Sequence, residues 1–198
     1  GDSTADTVGA SYKVGAIGIT GKLDLNAAIT SATSISVSGT SDLGANITTS
    51  STQTYTGAVT LSASSTLTTT SSAISFSSTV DSAASGANSL TIGTGSGSVT
   101  FTGAVGSATN GALGTITNIA GQTLTFSDAV TANTIANYGT LLFNASTAKT
   151  ISPNITDNGT TTIQVINSAD GAPAIITFSG NVAADTITIG TTTKAGSA

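Results

Sequence analysis

Apolar and hydroxyl-bearing residues alternate along most of this chain, and the alternation comes as a repeated phrase. Val99-Thr100-Phe101-Thr102-Gly103-Ala104-Val105 reads apolar, hydroxyl, aromatic, hydroxyl, two small residues, valine. The phrase returns at 74–80, 124–130 and 176–182, with a tyrosine version at 55–59. Side chains alternate between the faces of a strand with period two. The phrase therefore predicts a strand with Val99, Phe101, Gly103 and Val105 on one face and Thr100, Thr102 and Ala104 on the other. The position two after the aromatic is Gly103, Ser78 or Asp128, residues that suit a bend where a strand turns a corner.

The anchors Tyr55, Phe76, Phe101 and Phe126 are 21, 25 and 25 residues apart, a period that marks a solenoid. After Phe126 the spacing breaks: Phe143 comes early and Phe178 late. The expected fold is all-β, a parallel β-helix (β-solenoid) of roughly 20–25-residue rungs. The alternative is a β-sandwich completed by a strand from a neighbouring subunit.

Taken in order, residues 1–11 read as a flexible start or an intersubunit connection, and 12–198 as a single repetitive β domain. Strands are expected over 12–19, 22–29 and 34–38, with a turn and a short strand in 42–47. Further strands are expected at 66–68, 89–92, 160–166 and 185–190. The stretch 23–32 is the one piece that could pass for a helix, but Ile29 and its alanines are too few to build an amphipathic face. Gly93-Thr94-Gly95-Ser96-Gly97 has phosphate-loop spacing, yet a strand pattern follows where the phosphate site needs a helix N-terminus. Asn110-Gly111, Asn158-Gly159 and Asp170-Gly171 are tight-turn pairs, and Pro153 and Pro173 stand beside the last two. The strand at 185–190 has no evident cap, so the chain is expected to continue or to dock on a neighbour.

Composition sharpens this picture. Ser and Thr exceed a third of the chain and only 7% of residues are charged, which alone would suggest disorder. The recurrent Ile, Val, Leu and Phe supply a buried face instead, and the β-branched bias favours strands. Net charge is −5, with nine aspartates against Lys13, Lys22, Lys149 and Lys194 and no arginine, so no nucleic-acid partner is expected. The chain has no cysteine, which rules out disulfides and fits a bacterial or archaeal surface protein. Ser and Thr interrupt every apolar run, so no membrane span is expected.

Chemistry has little to work with. There is no His and no Glu, which removes the usual bases and the serine triad, and no enzyme is expected. Asp2 and Asp6 are the closest aspartates in sequence, so any carboxylate pair has to form across rungs. Asp128, Asp157 and Asp170 sit in turns and are candidate ligands for a structural calcium, the one cofactor worth weighing, although turn capping explains them as well. Thr66-Leu67-Thr68 and Thr186-Ile187-Thr188 resemble the Thr-x-Thr arrays of ice-binding solenoids. They do not recur at one fixed position in each unit, so the sequence does not favour that reading. Asn46, Asn144, Asn154 and Asn158 begin N-x-[Ser/Thr] sequons, which permit glycosylation in a competent host.

The phrases at 54–61, 99–105 and 129–135 resemble repeats of filamentous-haemagglutinin-like adhesins and autotransporter passengers. The stretch Gly114-Thr115-Ile116-Thr117-Asn118, followed by Leu124-Thr125-Phe126, is similar to the rickettsial outer-membrane surface antigens among them. The resemblance covers most of residues 50–195. It implies a right-handed parallel β-helix exported to the bacterial or archaeal cell surface as a stalk, adhesin or coat, with no catalytic residues to carry over. Expected partners are further copies of the chain or ligands on host or neighbouring surfaces. The rival expectation is a self-assembling extracellular fibre or surface-layer subunit that polymerises by strand exchange.

Overall fold

The computed structural model describes residues 8–9, 12–93, 95, 97–107, 109, 111–167 and 175–191. The chain winds into a β-solenoid of about eight turns, and the pairings between the described strands are parallel. Each circuit visits three faces, named here for the side chains that line them: valine, asparagine and aromatic.

The chain enters on the aromatic face with β1 (Val14–Ile19) and crosses the valine face as β2 (Leu23–Leu25). One bent strand, β3 (Ile29–Val37), then covers the asparagine and aromatic faces, with a register shift between Ile29 and Ala32. The next circuits take the three faces in turn: β4 (Ser41–Leu43), β5 (Ile47–Thr49) and β6 (Gln53–Tyr55); β7 (Val59–Leu61), β8 (Ser65–Thr68) and β9 (Ile74–Phe76); β10 (Val80–Ser82), β11 (Leu90–Ile92) and β12 (Ser98–Phe101). In the following two circuits the valine face shrinks to the bridged residues Val105 and Val130. After them come β13 (Leu113–Asn118) with β14 (Thr123–Phe126), and β15 (Ala132–Asn137) with β16 (Thr140–Ala145). The seventh circuit is β17 (Lys149–Ile151), β18 (Asn154–Asp157) and β19 (Thr162–Asn167). The last has β20 (Ile176–Phe178), Val182 bridged to Ile155, and β21 (Thr186–Thr191).

The repeated phrase is explained by one corner. From Ile19 to Leu23, Val37 to Ser41, Tyr55 to Val59, Phe76 to Val80, Phe101 to Val105 and Phe126 to Val130, three residues carry the chain from the aromatic to the valine face. The end points of these steps form two continuous in-register columns. At the middle of this corner successive circuits come close. A Cβ on Gly103 would stand 2.5 Å from the carbonyl carbon of Ser78, so the backbone would have to shift to admit one.

The interior is built from the inward columns of the three faces. Tyr55, Phe76, Phe101, Phe126 and Phe143 are fully buried and stack ring on ring, with centroids 5.1, 4.8, 4.9 and 5.5 Å apart. That spacing is the distance between neighbouring strands, so the pairing itself sets the stack. Beside it run Ile35, Gln53, Ile74, Val99, Leu124, Leu141 and Ile163. Gln53 is the polar exception, and its buried amide is satisfied. Its Nε2 donates to the Thr68 carbonyl at 2.9 Å, and its Oε1 accepts from the Tyr55 hydroxyl at 3.1 Å. The one tyrosine in the stack therefore sits beside the one glutamine in the neighbouring column.

Several expectations change. Val105 does not share a strand with Phe101; β12 ends at Phe101, and Val105 points inward from the next face. Phe178 leaves the aromatic column: its phrase is shifted by one face, so Phe178 pairs with Ile151 on the valine face and Val182 with Ile155 on the asparagine face. Its ring meets Phe143 edge-on, at 5.3 Å and 85°. Phe143, read as an early break, is the regular successor of Phe126. Rung length is correspondingly wider than 20–25, from 17 residues (Phe126 to Phe143) to 25 (Phe101 to Phe126). The strand expected over 22–29 is divided by a corner between β2 and β3, and 42–47 touches two strands. Val8, within the supposedly flexible start, forms a parallel bridge with Ile29. Asn110, Asp170, Gly171 and Pro173 lie outside the described residues.

Candidate functional site: the hydroxyl side of the aromatic face

Strands with an inward–outward–inward pattern display one residue between two buried ones, and on the aromatic face that residue is nearly always a hydroxyl. Ser36, Thr54, Ser75, Thr100 and Thr125 form one in-register column. Ser38, Thr56, Ser77, Thr102 and Ser127 form a second. The N–H of each donates at 2.9 Å to the carbonyl of the aromatic-column residue one circuit earlier. The third column is Ser34, Thr52, Ala73, Ser98 and Thr123, continued in register by Thr140, Thr162 and Thr186. Over these five circuits fourteen of fifteen outward positions are Ser or Thr, and none is charged. The middle column ends beyond Thr125, where Leu142 and Gln164 follow.

The array is flat. Neighbouring strands in ordinary sheets are rotated by roughly 20–25°. The ring planes beneath the array turn by only 11°, 6° and 8° from Tyr55 to Phe126. Spacing is about 4.8 Å between circuits and about 6.7 Å between two outward positions of one strand, twice the rise per residue, and the second column stands at the first residue of each corner. Among the described residues, the hydroxyls of Thr54, Ser75, Thr100 and Thr125 form no hydrogen bond to the protein and are left to solvent.

The Asp128 Oδ1 accepts the Ala129 N–H at 2.6 Å and lies 2.6 Å from the Lys149 ammonium, so a calcium ion there would have to displace a cation. The Asp157 Oδ1 accepts the Gly159 N–H at 3.2 Å, a turn cap. Asp170 lies outside the described residues. Among those described, no group of three or more His, Cys, Asp or Glu converges. One carboxylate pair does form across rungs: Asp24 and Asp42 are register partners on the valine face, and Thr60 separates Asp42 from Asp81. Lys22 lies 3.8 Å from Asp24 on the open surface. A shallow hollow lined by Lys13, Thr30, Ser31, Thr48, Thr49 and Ser50 holds no carboxylate.

Two sequon amides link successive circuits: Asn46 Oδ1 accepts the Thr66 N–H at 2.7 Å and Asn154 Oδ1 accepts the Asn181 N–H at 3.0 Å, while Asn158 Nδ2 donates locally to Thr156 Oγ1 at 2.8 Å. The Asn144 Oδ1 is buried without a partner. Sequence reasoning missed the interior amide pair, in which Asn118 Nδ2 donates to Asn137 Oδ1 at 2.8 Å. The available signal was an Asn closing each of two similar strands, with a turn glycine (Gly121, Gly139) soon after. It also missed that the hydroxyls align, because circuits of unequal length hide the register. Comparison with protein-family models, with curated proteins and with solved structures found no match to the chain.

Proposed function

We propose that the chain is an extracellular structural protein of a bacterial or archaeal surface, a stalk, adhesin or coat that works through its outside rather than through a reaction. One observation carries this reading: a continuous apolar interior beneath an uncharged hydroxyl face, with Asp24, Asp42 and Asp81 gathered on a different face. The likeness of its phrases to adhesin and autotransporter repeats supports it. The ligands are those of a display surface, on neighbouring or host cells. Antibodies raised against the purified protein should label intact cells of its source; labelling only after permeabilisation would end this reading.

A second reading, a self-assembling fibre, is favoured by the continuity of the columns. Ile187 and Ile189 occupy the same two columns as Ile17 and Ile19 of β1. Stacking one copy on another would continue both columns and generate an open, head-to-tail polymer. Negative-stain microscopy separates the two. Rods of roughly 40 Å, eight spacings of about 4.8 Å, fit the single stalk segment. Long filaments that disappear when residues 1–20 are removed fit the polymer.

A further inference from the structure

We propose that the hydroxyl side of the aromatic face binds ice. The hydroxyl triplets do not recur at fixed sequence intervals because the circuits vary in length, but strand register aligns them; Thr-x-Thr falls in the circuits of 52–56, 98–102 and 123–127, and serine with Ala73 fills the other two. Three columns cross five circuits, an area of roughly 13 Å by 19 Å at the strand spacings. The seven threonines of the array, at 52, 54, 56, 100, 102, 123 and 125, each place a hydroxyl and a methyl on a side chain that is stiff at χ1 and so loses little freedom on meeting a solid.

The ligand follows from what the array offers and lacks. It offers a repeat fixed by strand pairing, free hydroxyls along the middle column at Thr54, Ser75, Thr100 and Thr125, and little turn from circuit to circuit. It lacks charge, which removes ionic polymers, and it lacks aromatic platforms, because Tyr55, Phe76, Phe101, Phe126 and Phe143 all point inward. A rigid net of uncharged hydrogen-bonding groups matches an ordered water lattice: hydroxyls anchor waters in rows, and methyls fill the gaps between them. The other faces differ. The outward column of the valine face carries Asp24, Asp42 and Asp81, and the asparagine face has a single threonine column, Thr66, Thr91 and Thr117, flanked by Ser64 and Ser89, whose hydroxyls accept N–H groups of the next circuit.

The test uses the full chain in ice-crystal assays, comparing wild type with Thr100→Tyr at the centre of the array and Thr91→Tyr on the asparagine face. Circular dichroism melting confirms that each variant is folded. Wild type should hold ice growth below the melting point, facet the crystals and suppress recrystallisation. Thr100→Tyr should lose most of that effect, while Thr91→Tyr keeps it. If Thr100→Tyr does not fold, Thr54→Tyr, on the same column, replaces it. Absence of ice shaping and of recrystallisation inhibition in wild type would overturn the proposal. So would equal loss in the array and asparagine-face variants, or retention on crystalline cellulose without any effect on ice. None of these outcomes depends on where the protein resides, so the surface reading survives or fails separately.

Discussion

Phe101 is the centre of the aromatic stack, with a parallel ring 4.8 Å on one side and 4.9 Å on the other. Truncating it opens a cavity that the neighbouring circuits, pinned by their pairing, cannot close. Phe101→Ala should therefore lower unfolding free energy by about 3–5 kcal/mol in denaturant titration. Phe178→Ala should lose less than half of that, because Phe178 is half-buried and off the column; equal losses would contradict the register. Gly103 is held by a close approach of backbones, and Gly103→Ala should cost about 1–3 kcal/mol by the same titration, the range for overpacking. Tyr55 gives a pH signature. Burial pushes its phenol far above the ordinary value of 10.0, so in the alkaline range the unfolded chain releases a proton that the folded one keeps. The stability this group supports is whole below pH 10 and falls above it, by about 1.4 kcal/mol per pH unit. Stability measured from pH 8 to 11 should show that fall, and Tyr55→Phe should flatten it.

Among the elements, the corners divide into a fixed kind and a variable kind. The aromatic-to-valine corner holds three residues in six successive circuits, whereas the valine-to-asparagine corner ranges from the single residue Thr131 to the seven of 83–89. Three added residues between Ala84 and Ser85 should change stability by less than about 1 kcal/mol, since loop closure grows slowly with length. The same insertion after Gly103 should prevent Phe101 and Val105 from both reaching the interior; thermal melts of the two variants check this. The division also explains what could be read in the sequence. A fixed corner preserves a phrase, so 74–80, 99–105 and 124–130 announced both the solenoid and the bend. Where that corner lengthens, between Phe143 and Ile151, the phrase vanishes although the stack continues. The copy at 176–182 has the right residues on the wrong face, because four positions from aromatic to valine fit more than one corner. The hydroxyl array was invisible for the same reason: it is a property of register, and only the pairing of unequal circuits displays it.

For the molecule as a whole, each circuit touches chiefly the circuits before and after it, so stability accumulates by neighbours. Amide exchange should accordingly be slowest around Phe76, Phe101 and Phe126 and faster in β1 and β21; uniform protection would point to a globally cooperative unit instead. The small turn of the rings has a consequence for direction. A stack that rotated as ordinary sheets do would carry each column round the axis like the stripe on a barber's pole. Here the columns drift only slightly between circuits, so hydroxyls face one way and the aspartates of the valine face another. Rods laid side by side in one orientation would tile into a sheet with two chemically different sides, much as bricks with one glazed face make a wall with an inside and an outside.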